Sequence, residues 1–82
     1  MKIIFIMFTL VLSLFATVDI NTASHQELTS LHGIGDKKAK AIVEYRDSIK
    51  CFKTVEELSN IKGIGKSTIA KNKEILAVSK CK

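Results

Sequence analysis

From Leu28 to Ala39 the chain reads Leu-Thr-Ser-Leu-His-Gly-Ile-Gly-Asp-Lys-Lys-Ala. The same arrangement returns thirty residues later, from Leu58 to Ile69, as Leu-Ser-Asn-Ile-Lys-Gly-Ile-Gly-Lys-Ser-Thr-Ile. In each copy a Gly-Ile-Gly turn separates two segments whose apolar residues recur at intervals of three and four, the spacing of a helix face. We therefore predict two tandem hairpins, each joining two helices by a tight turn.

The Gly-Ile-Gly turns are candidate anion sites. Both glycines of a turn permit backbone angles that a side chain resists. The turn brings its N–H groups to the surface at the start of the following helix, where the helix dipole is positive. Ile34 and Ile64, between the glycines, are too apolar to remain outside, and we expect both side chains to turn inward.

The local pattern also predicts where helices begin. Ser24-x-x-Glu27 and Thr54-x-x-Glu57 are capping boxes, and each predicts the first helix of a hairpin. Asp36 is a predicted N-cap for a longer helix through about Lys50. The last helix is expected to use Ile69, Ile75, Leu76 and Val78 on its apolar face. With no proline and no alternating run, no strand is predicted.

The two copies resemble helix-hairpin-helix motifs, and the chain resembles the ComEA family of extracytoplasmic DNA receptors for natural transformation. The flanking residues that carry this resemblance are Asp19-Ile20-Asn21-Thr22-Ala23-Ser24, Val43-Glu44-Tyr45-Arg46 and Phe52-Lys53-Thr54-Val55-Glu56-Glu57-Leu58. The resemblance spans about residues 19–76. It implies an all-α tandem helix-hairpin-helix domain of four to five short helices, with a pseudo-two-fold axis between the repeats.

The resemblance further implies a protein that grips double-stranded DNA by its phosphate backbone. Such contacts carry no base sequence, so binding is expected to be nonspecific. An inner-membrane DNA channel is an implied further partner. The candidate DNA-binding residues are Gly33, Ile34, Gly35, Lys37, Lys38, Lys62, Gly63, Ile64, Gly65, Lys66 and Ser67.

The sequence departs from the family pattern at both hairpins. Asn72 lies thirty residues after Ile42, at a core-facing position where the family usually has an apolar residue, and it predicts a thinner apolar face on the fourth helix. Asp36 and Lys66 stand where proline commonly begins the helix. Because Asp36 places negative charge near the first hairpin, we expect that hairpin to bind phosphate more weakly than the second.

The N-terminus has the composition of a targeting segment. Lys2 is followed by an apolar run from Ile3 to Phe15, broken only by Thr9 and Ser13. This pattern favours a cleaved secretory signal over residues 1–16, with an uncleaved membrane anchor as the alternative. The binding domain is then predicted over residues 19–78 and a tail over residues 79–82. Either alternative places the domain outside the cytoplasm, in a periplasm or an equivalent extracytoplasmic space.

The chain has two cysteines, Cys51 and Cys81. An even pair in a small exported domain predicts a disulfide, which stabilises by roughly 3–4 kcal/mol in the chain-entropy model. Two unpaired thiols, or a bond between molecules, are the alternatives. No metal site is expected, since the chain has no Cys-x-x-Cys and His25 and His32 lie far from the cysteines.

Charge and length separate the possible classes of function. The 82 residues carry a net charge of +5, which suits an acidic partner such as DNA. An enzyme is disfavoured, because no nucleophile–base or metal constellation is evident and no cofactor or small-molecule substrate is implied. An exported structural or protein-interaction module, with the hairpins as simple turns, is the main alternative. Basic residues gathered around the hairpins favour DNA.

Overall fold

The structure of the protein, a computed structural model, describes residues 17–81. Its elements are β1 (Val18–Asp19), α1 (His25–Leu28), α2 (Asp36–Ile49), a 3-10 helix (Val55–Asn60), α3 (Lys66–Lys71) and β2 (Leu76–Ala77). The predicted arrangement of four helices in two tandem hairpins is confirmed. The predicted signal segment, residues 1–16, lies outside the described residues.

Equivalent positions of the two repeats build one core. Ile34 and Ile64 are both buried, as predicted, so each turn is anchored by its central side chain. Burial of an isoleucine contributes roughly 1.5–3 kcal/mol, which fixes the turns against their own helices. Among the described residues, the buried apolar side chains are Ile20, Ala23, Leu28, Leu31, Ile34, Ala39, Ile42, Phe52, Leu58, Ile61, Ile64 and Ile69.

Both predicted capping boxes are present. The hydroxyl of Ser24 accepts a hydrogen bond from the N–H of Glu27 at 3.1 Å, and the Glu27 carboxylate accepts from the N–H of Ser24 at 2.8 Å. In the second repeat, the Glu57 carboxylate accepts from the N–H of Thr54 at 3.2 Å. The helix that follows Thr54 is of the 3-10 type, which is tighter than an α-helix and is used in short pieces.

The long helix α2 starts one residue away from its predicted cap. Gly35 occupies the N-cap position, so the prediction of Asp36 as N-cap is wrong, and Asp36 is the first helical residue. Near the other end of α2, the Arg46 guanidinium donates to the carbonyl oxygens of Ile20 at 3.0 Å and Ala23 at 2.8 Å. These bonds attach the segment before α1 to α2. The helix ends at Ile49, close to the predicted boundary.

The fourth helix is shorter than predicted. We expected Ile75, Leu76 and Val78 to continue it, but α3 ends at Lys71 and the chain turns at Asn72, whose carbonyl accepts the N–H groups of Ile75 at 3.0 Å and Leu76 at 2.9 Å. The apolar residues still pack partly buried against the core. The apolar spacing of these residues reflects packing against the core from a turn and a short strand, and not from a helix.

The residues after α3 pair with the start of the domain, so the prediction of no strand is wrong. Strand β2 lies parallel to β1, with Val18 opposite Leu76 and Asp19 opposite Ala77. Two backbone hydrogen bonds flank the pair, from Val18 N–H to Ile75 O at 2.7 Å and from Ile20 N–H to Ala77 O at 2.9 Å. The partners are far apart in sequence, and only the packed fold brings them together.

Asn21 joins three distant segments next to the disulfide. Its amide donates to the carbonyl oxygens of Phe52 and Ser79, both at 2.8 Å, and accepts from the N–H of Phe52 at 2.6 Å. The Cys51–Cys81 disulfide lies beside these residues, with Cα atoms 5.8 Å apart. The predicted intramolecular bond is confirmed, and it fastens the end of the second repeat to the link between the repeats.

Asp19 belongs to the same junction. Partial burial raises the pKa of its carboxyl, but hydrogen bonds from the N–H groups of Asn21 and Ser79, with side-chain bonds from Ser79 and Thr22, outweigh that effect. The net result is a pKa below the ordinary value. The ionised carboxylate therefore stabilises the attachment of the C-terminal segment to the N-terminal strand.

Candidate nucleic-acid interface

The two glycines of each turn have different conformations. Gly33 and Gly63 have φ values of +77° and +94°, in the left-handed region that favours glycine. Gly35 and Gly65 have φ values of −92° and −111°, which any residue adopts, and a Cβ atom on either would meet nothing within 4 Å. The expectation that both glycines of a turn relieve backbone strain is therefore correct for the first glycine and wrong for the second.

The turn donors also differ from the prediction. The N–H of Ile34 donates to Leu31 O at 3.2 Å, and the N–H of Ile64 donates to Ile61 O at 3.0 Å. These two N–H groups close the turns, so the expectation that they are free for phosphate is wrong. In the described part of the chain, the N–H groups of the four hairpin glycines make no hydrogen bond. They are the remaining backbone donors of the turns.

The two hairpins lie against each other. A Cβ atom on Gly33 would lie 3.9 Å from Cγ2 of Thr68, at the start of α3, and one on Gly63 would lie 3.5 Å from Cε of Lys38, at the start of α2. The two contacts are related by the thirty-residue repeat, since Lys38 corresponds to Thr68. The packing thus follows the pseudo-two-fold relation implied by the resemblance and brings both turns to one edge of the domain.

Most of the predicted basic side chains at this edge are free to reach a ligand. Lys37, Lys62 and Lys66 are exposed, together with Ser67. Lys38 is half-buried, and its ammonium donates to the carbonyl oxygen of Gly33 at 3.5 Å. The structure therefore places Lys38 across the first turn, in contact with both hairpins.

Asp36 gives the first hairpin a charge environment unlike that of the second. Its carboxylate is exposed and follows Gly35 directly, where the second repeat has Lys66 after Gly65. The Nε2 atom of His25 lies 3.2 Å from the Asp36 carboxylate and 3.1 Å from its carbonyl oxygen. When His25 is protonated, its charge partly offsets that of Asp36.

Asn72 is the site residue whose contacts sequence reasoning missed. Its side chain is buried, and its amide oxygen accepts the N–H of His32 at 2.7 Å. The amide nitrogen donates to His32 O at 2.9 Å and to Thr68 O at 2.8 Å. The signal in the sequence is a polar residue in register with Ile42, which by itself indicates only a loss of apolar surface.

Two further findings concern residues 17–81 alone. Over that range, no three or more His, Cys, Asp or Glu side chains are grouped so as to hold a metal ion. None of the helices in the range has the length and apolar character needed to cross a membrane.

Residues 15–77 match the family model described as the helix-hairpin-helix motif. The chain belongs to the helix-hairpin-helix family. The matched range contains both Gly-Ile-Gly hairpins and all four helices of the described structure. Family membership therefore covers the whole candidate interface.

Several relatives share the domain within longer proteins. The chain is 40% identical over 63 residues to ComE operon protein 1 of Bacillus subtilis, covering 77% of this chain and 31% of that protein. It is 48% identical over 58 residues to an uncharacterized protein of Haemophilus influenzae, and the match covers 70% of this chain and 52% of that protein. It is also 40% identical over 62 residues to endonuclease/exonuclease/phosphatase family domain-containing protein 1 of Homo sapiens, and this match covers 76% of this chain and 11% of that protein.

The chain thus spans about half, or less, of the length of these relatives. The similarity to ComE operon protein 1 confirms the resemblance to the ComEA family that the hairpins and their flanks predicted. The match to the human protein includes only a tenth of that protein, so the activity in its name belongs to that protein.

Proposed function

We propose that this chain is an exported, sequence-nonspecific double-stranded DNA-binding protein that acts as a receptor in DNA uptake for natural transformation. The observation that carries the proposal is the placement of both hairpins at one edge, with unpaired glycine N–H groups and with exposed lysines next to the turns in the sequence. Membership of the helix-hairpin-helix family and similarity to ComE operon protein 1 support it.

The chemistry of this edge suits phosphate. Backbone N–H groups next to a helix start present partial positive charge, and exposed ammonium groups add full charges within reach of the same ligand. Gly35 and Gly65 have neither positive φ nor steric crowding. Their lack of a side chain is explained if a phosphate approaches the backbone there. Such contacts position a duplex without selecting bases.

The aromatic residues favour duplex over single-stranded DNA. Single-strand binding commonly stacks bases on exposed aromatic side chains. Within residues 17–81 the two aromatic residues are Tyr45 and Phe52. They stack on each other with ring centroids 5.8 Å apart, and Phe52 is fully buried. Neither ring is placed as a stacking platform for bases at the hairpins.

The location outside the cytoplasm is part of the proposal. The apolar N-terminal run and the Cys51–Cys81 disulfide both support export, because disulfides persist in oxidising compartments. A receptor in this location requires a path for DNA across the inner membrane, and a membrane channel is the partner we propose. Binding, rather than catalysis, is the role assigned to the chain.

The testing experiment is a salt titration of DNA binding by the oxidised protein, using two unrelated duplexes of equal length and one single strand. We expect equal affinity for the two duplexes and weaker binding of the single strand. If about four to six phosphates are neutralised, the log–log salt slope for duplex DNA is about −4 to −5. Absence of duplex binding at low salt would overturn the proposal and favour a protein-interaction module.

A further inference from the structure

The buried amide of Asn72 connects the two repeats through backbone groups. It binds both the N–H and the carbonyl of His32, the residue directly before Gly33, and the carbonyl of Thr68 in α3. Two bonds to one residue define the orientation of that residue's peptide groups as well as its distance. Asn72 therefore holds the entrance to the first turn against the helix that follows the second turn.

A buried amide in this place requires a specific explanation. At the corresponding position of the first repeat, Ile42 is fully buried, and its side chain can make only apolar contacts. Burying an amide costs free energy unless its hydrogen bonds are made. Both N–H donors and the oxygen of Asn72 are bonded, and the described residues include no buried side-chain nitrogen or oxygen without a partner.

We propose that Asn72 is a positioning residue that sets the placement of the first hairpin relative to the second, so that both reach the phosphates of one duplex together. The inference rests on the proposed DNA binding and extends it to a residue that touches no DNA. A preorganised pair of hairpins loses less conformational entropy on binding than a pair in which one turn is loose.

The bond pattern makes the effect specific to the first hairpin. In the other repeat, Lys62 is the counterpart of His32 and Ile42 is the counterpart of Asn72, and an isoleucine side chain offers no hydrogen bond. Both turns are anchored by a buried isoleucine, and the first turn is held in addition by the hydrogen bonds of the Asn72 amide. Removing the amide should loosen the first turn and leave the second unchanged.

The test replaces Asn72 by the residue found in the other repeat. Asn72→Ile keeps the position filled, and the exposed His32 allows water to satisfy its freed backbone groups. Val43→Ala, a half-buried site on α2, is the matched control for a general loss of stability. For each variant we would measure thermal unfolding, hydrogen exchange of the His32 and Lys62 amides by NMR, and duplex binding against salt.

We expect Asn72→Ile to fold, to exchange the His32 amide faster with Lys62 unchanged, and to bind duplex DNA roughly threefold to tenfold more weakly, the range of one missing hydrogen bond. The salt slope should become shallower by about 1 for each phosphate that the first hairpin no longer reaches. Val43→Ala should change neither the His32 exchange nor the slope. If Asn72→Ile fails to fold, Asn72→Leu, which is close to asparagine in shape and also makes no hydrogen bond to His32, should show the same changes.

Two results would count against the inference, and they are distinguishable. If the wild-type protein binds duplex DNA and the Asn72 variants bind it with the same affinity and the same salt slope, the positioning role alone would be overturned. Absence of duplex binding by the wild-type protein would overturn the proposed function and, with it, the role assigned to Asn72.

Discussion

The two repeats share a turn, a capping box and their buried positions, and they differ in the helices on either side of the turn. In both, the isoleucine between the glycines is buried and the first glycine has positive φ. The helix after the turn has fourteen residues in the first repeat and six in the second. The helix before the turn is an α-helix in the first and a 3-10 helix in the second. The hairpin is thus a local structure that tolerates different surroundings.

The difference between the repeats arises from where the chain goes next. After α2, the chain continues through Phe52 into the second repeat, and the helix is long enough for Arg46 to hold the segment before α1. After α3, the chain must return to β1 and to the disulfide with Cys51. A helix of the length of α2 would carry it away from both. The length of each helix therefore follows from the segments that the chain must contact after the helix ends.

The largest expected effect comes from removing the disulfide that fastens the end of the second repeat. The double variant Cys51→Ser/Cys81→Ser should lower the free energy of unfolding by about 3–4 kcal/mol, because the unfolded chain regains the freedom of the closed loop. Denaturant unfolding under oxidising conditions measures it. Hydrogen exchange should show that β2 loses protection first. An equal loss of protection in α2 would contradict the view that the disulfide holds mainly the end of the second repeat.

The next effect separates the two glycines of a turn. Gly63→Ala should destabilise by roughly 1–2 kcal/mol, because alanine resists φ of +94°. Gly65→Ala should leave thermal unfolding almost unchanged, since its φ is ordinary and no atom lies near, yet it should weaken duplex binding. Comparing melting curves with DNA titrations tests this, and normal binding by Gly65→Ala would show that phosphate does not approach that glycine.

The charges after the turns should make the hairpins unequal. Asp36→Lys should bind duplex DNA more tightly and steepen the salt slope by about 1, whereas Lys66→Asp should weaken binding and make the slope shallower by a similar amount. The exposed Lys40 on α2 provides the control, and Lys40→Ala should have little effect. If all three substitutions have equal, small effects on DNA binding, the charges after the two turns do not make the hairpins unequal.

The smallest effect concerns the junction that joins the start of the first repeat to the end of the second. The pKa of Asp19 is lower in the folded protein, so its stabilising contribution is present above the unfolded pKa and is lost as pH falls through the folded pKa. Thermal unfolding followed from neutral to acid pH measures this loss. Asp19→Asn should be less stable at neutral pH and should approach the wild type in acid.

Sequence reasoning succeeded where a feature depends on neighbouring residues. The buried Ile34 and Ile64 and the Ser24 capping box follow from spacing and from side-chain chemistry within a few residues. It failed for Gly35 and Gly65, because a glycine in the sequence does not reveal its φ. It also failed for the Ile34 and Ile64 N–H groups, since the bonds that close the turn depend on its actual geometry.

Local patterns in the sequence therefore predict two helix-hairpin-helix repeats and the apolar faces of their hairpins. The short α3, the strand pair, the choice of an intramolecular Cys51–Cys81 bond and the bonds of Asn72 to His32 follow from the packing of the folded chain. The physical reason is distance along the chain. Capping and helix periodicity operate over three or four residues, whereas these features join groups that meet only when the two repeats pack against each other.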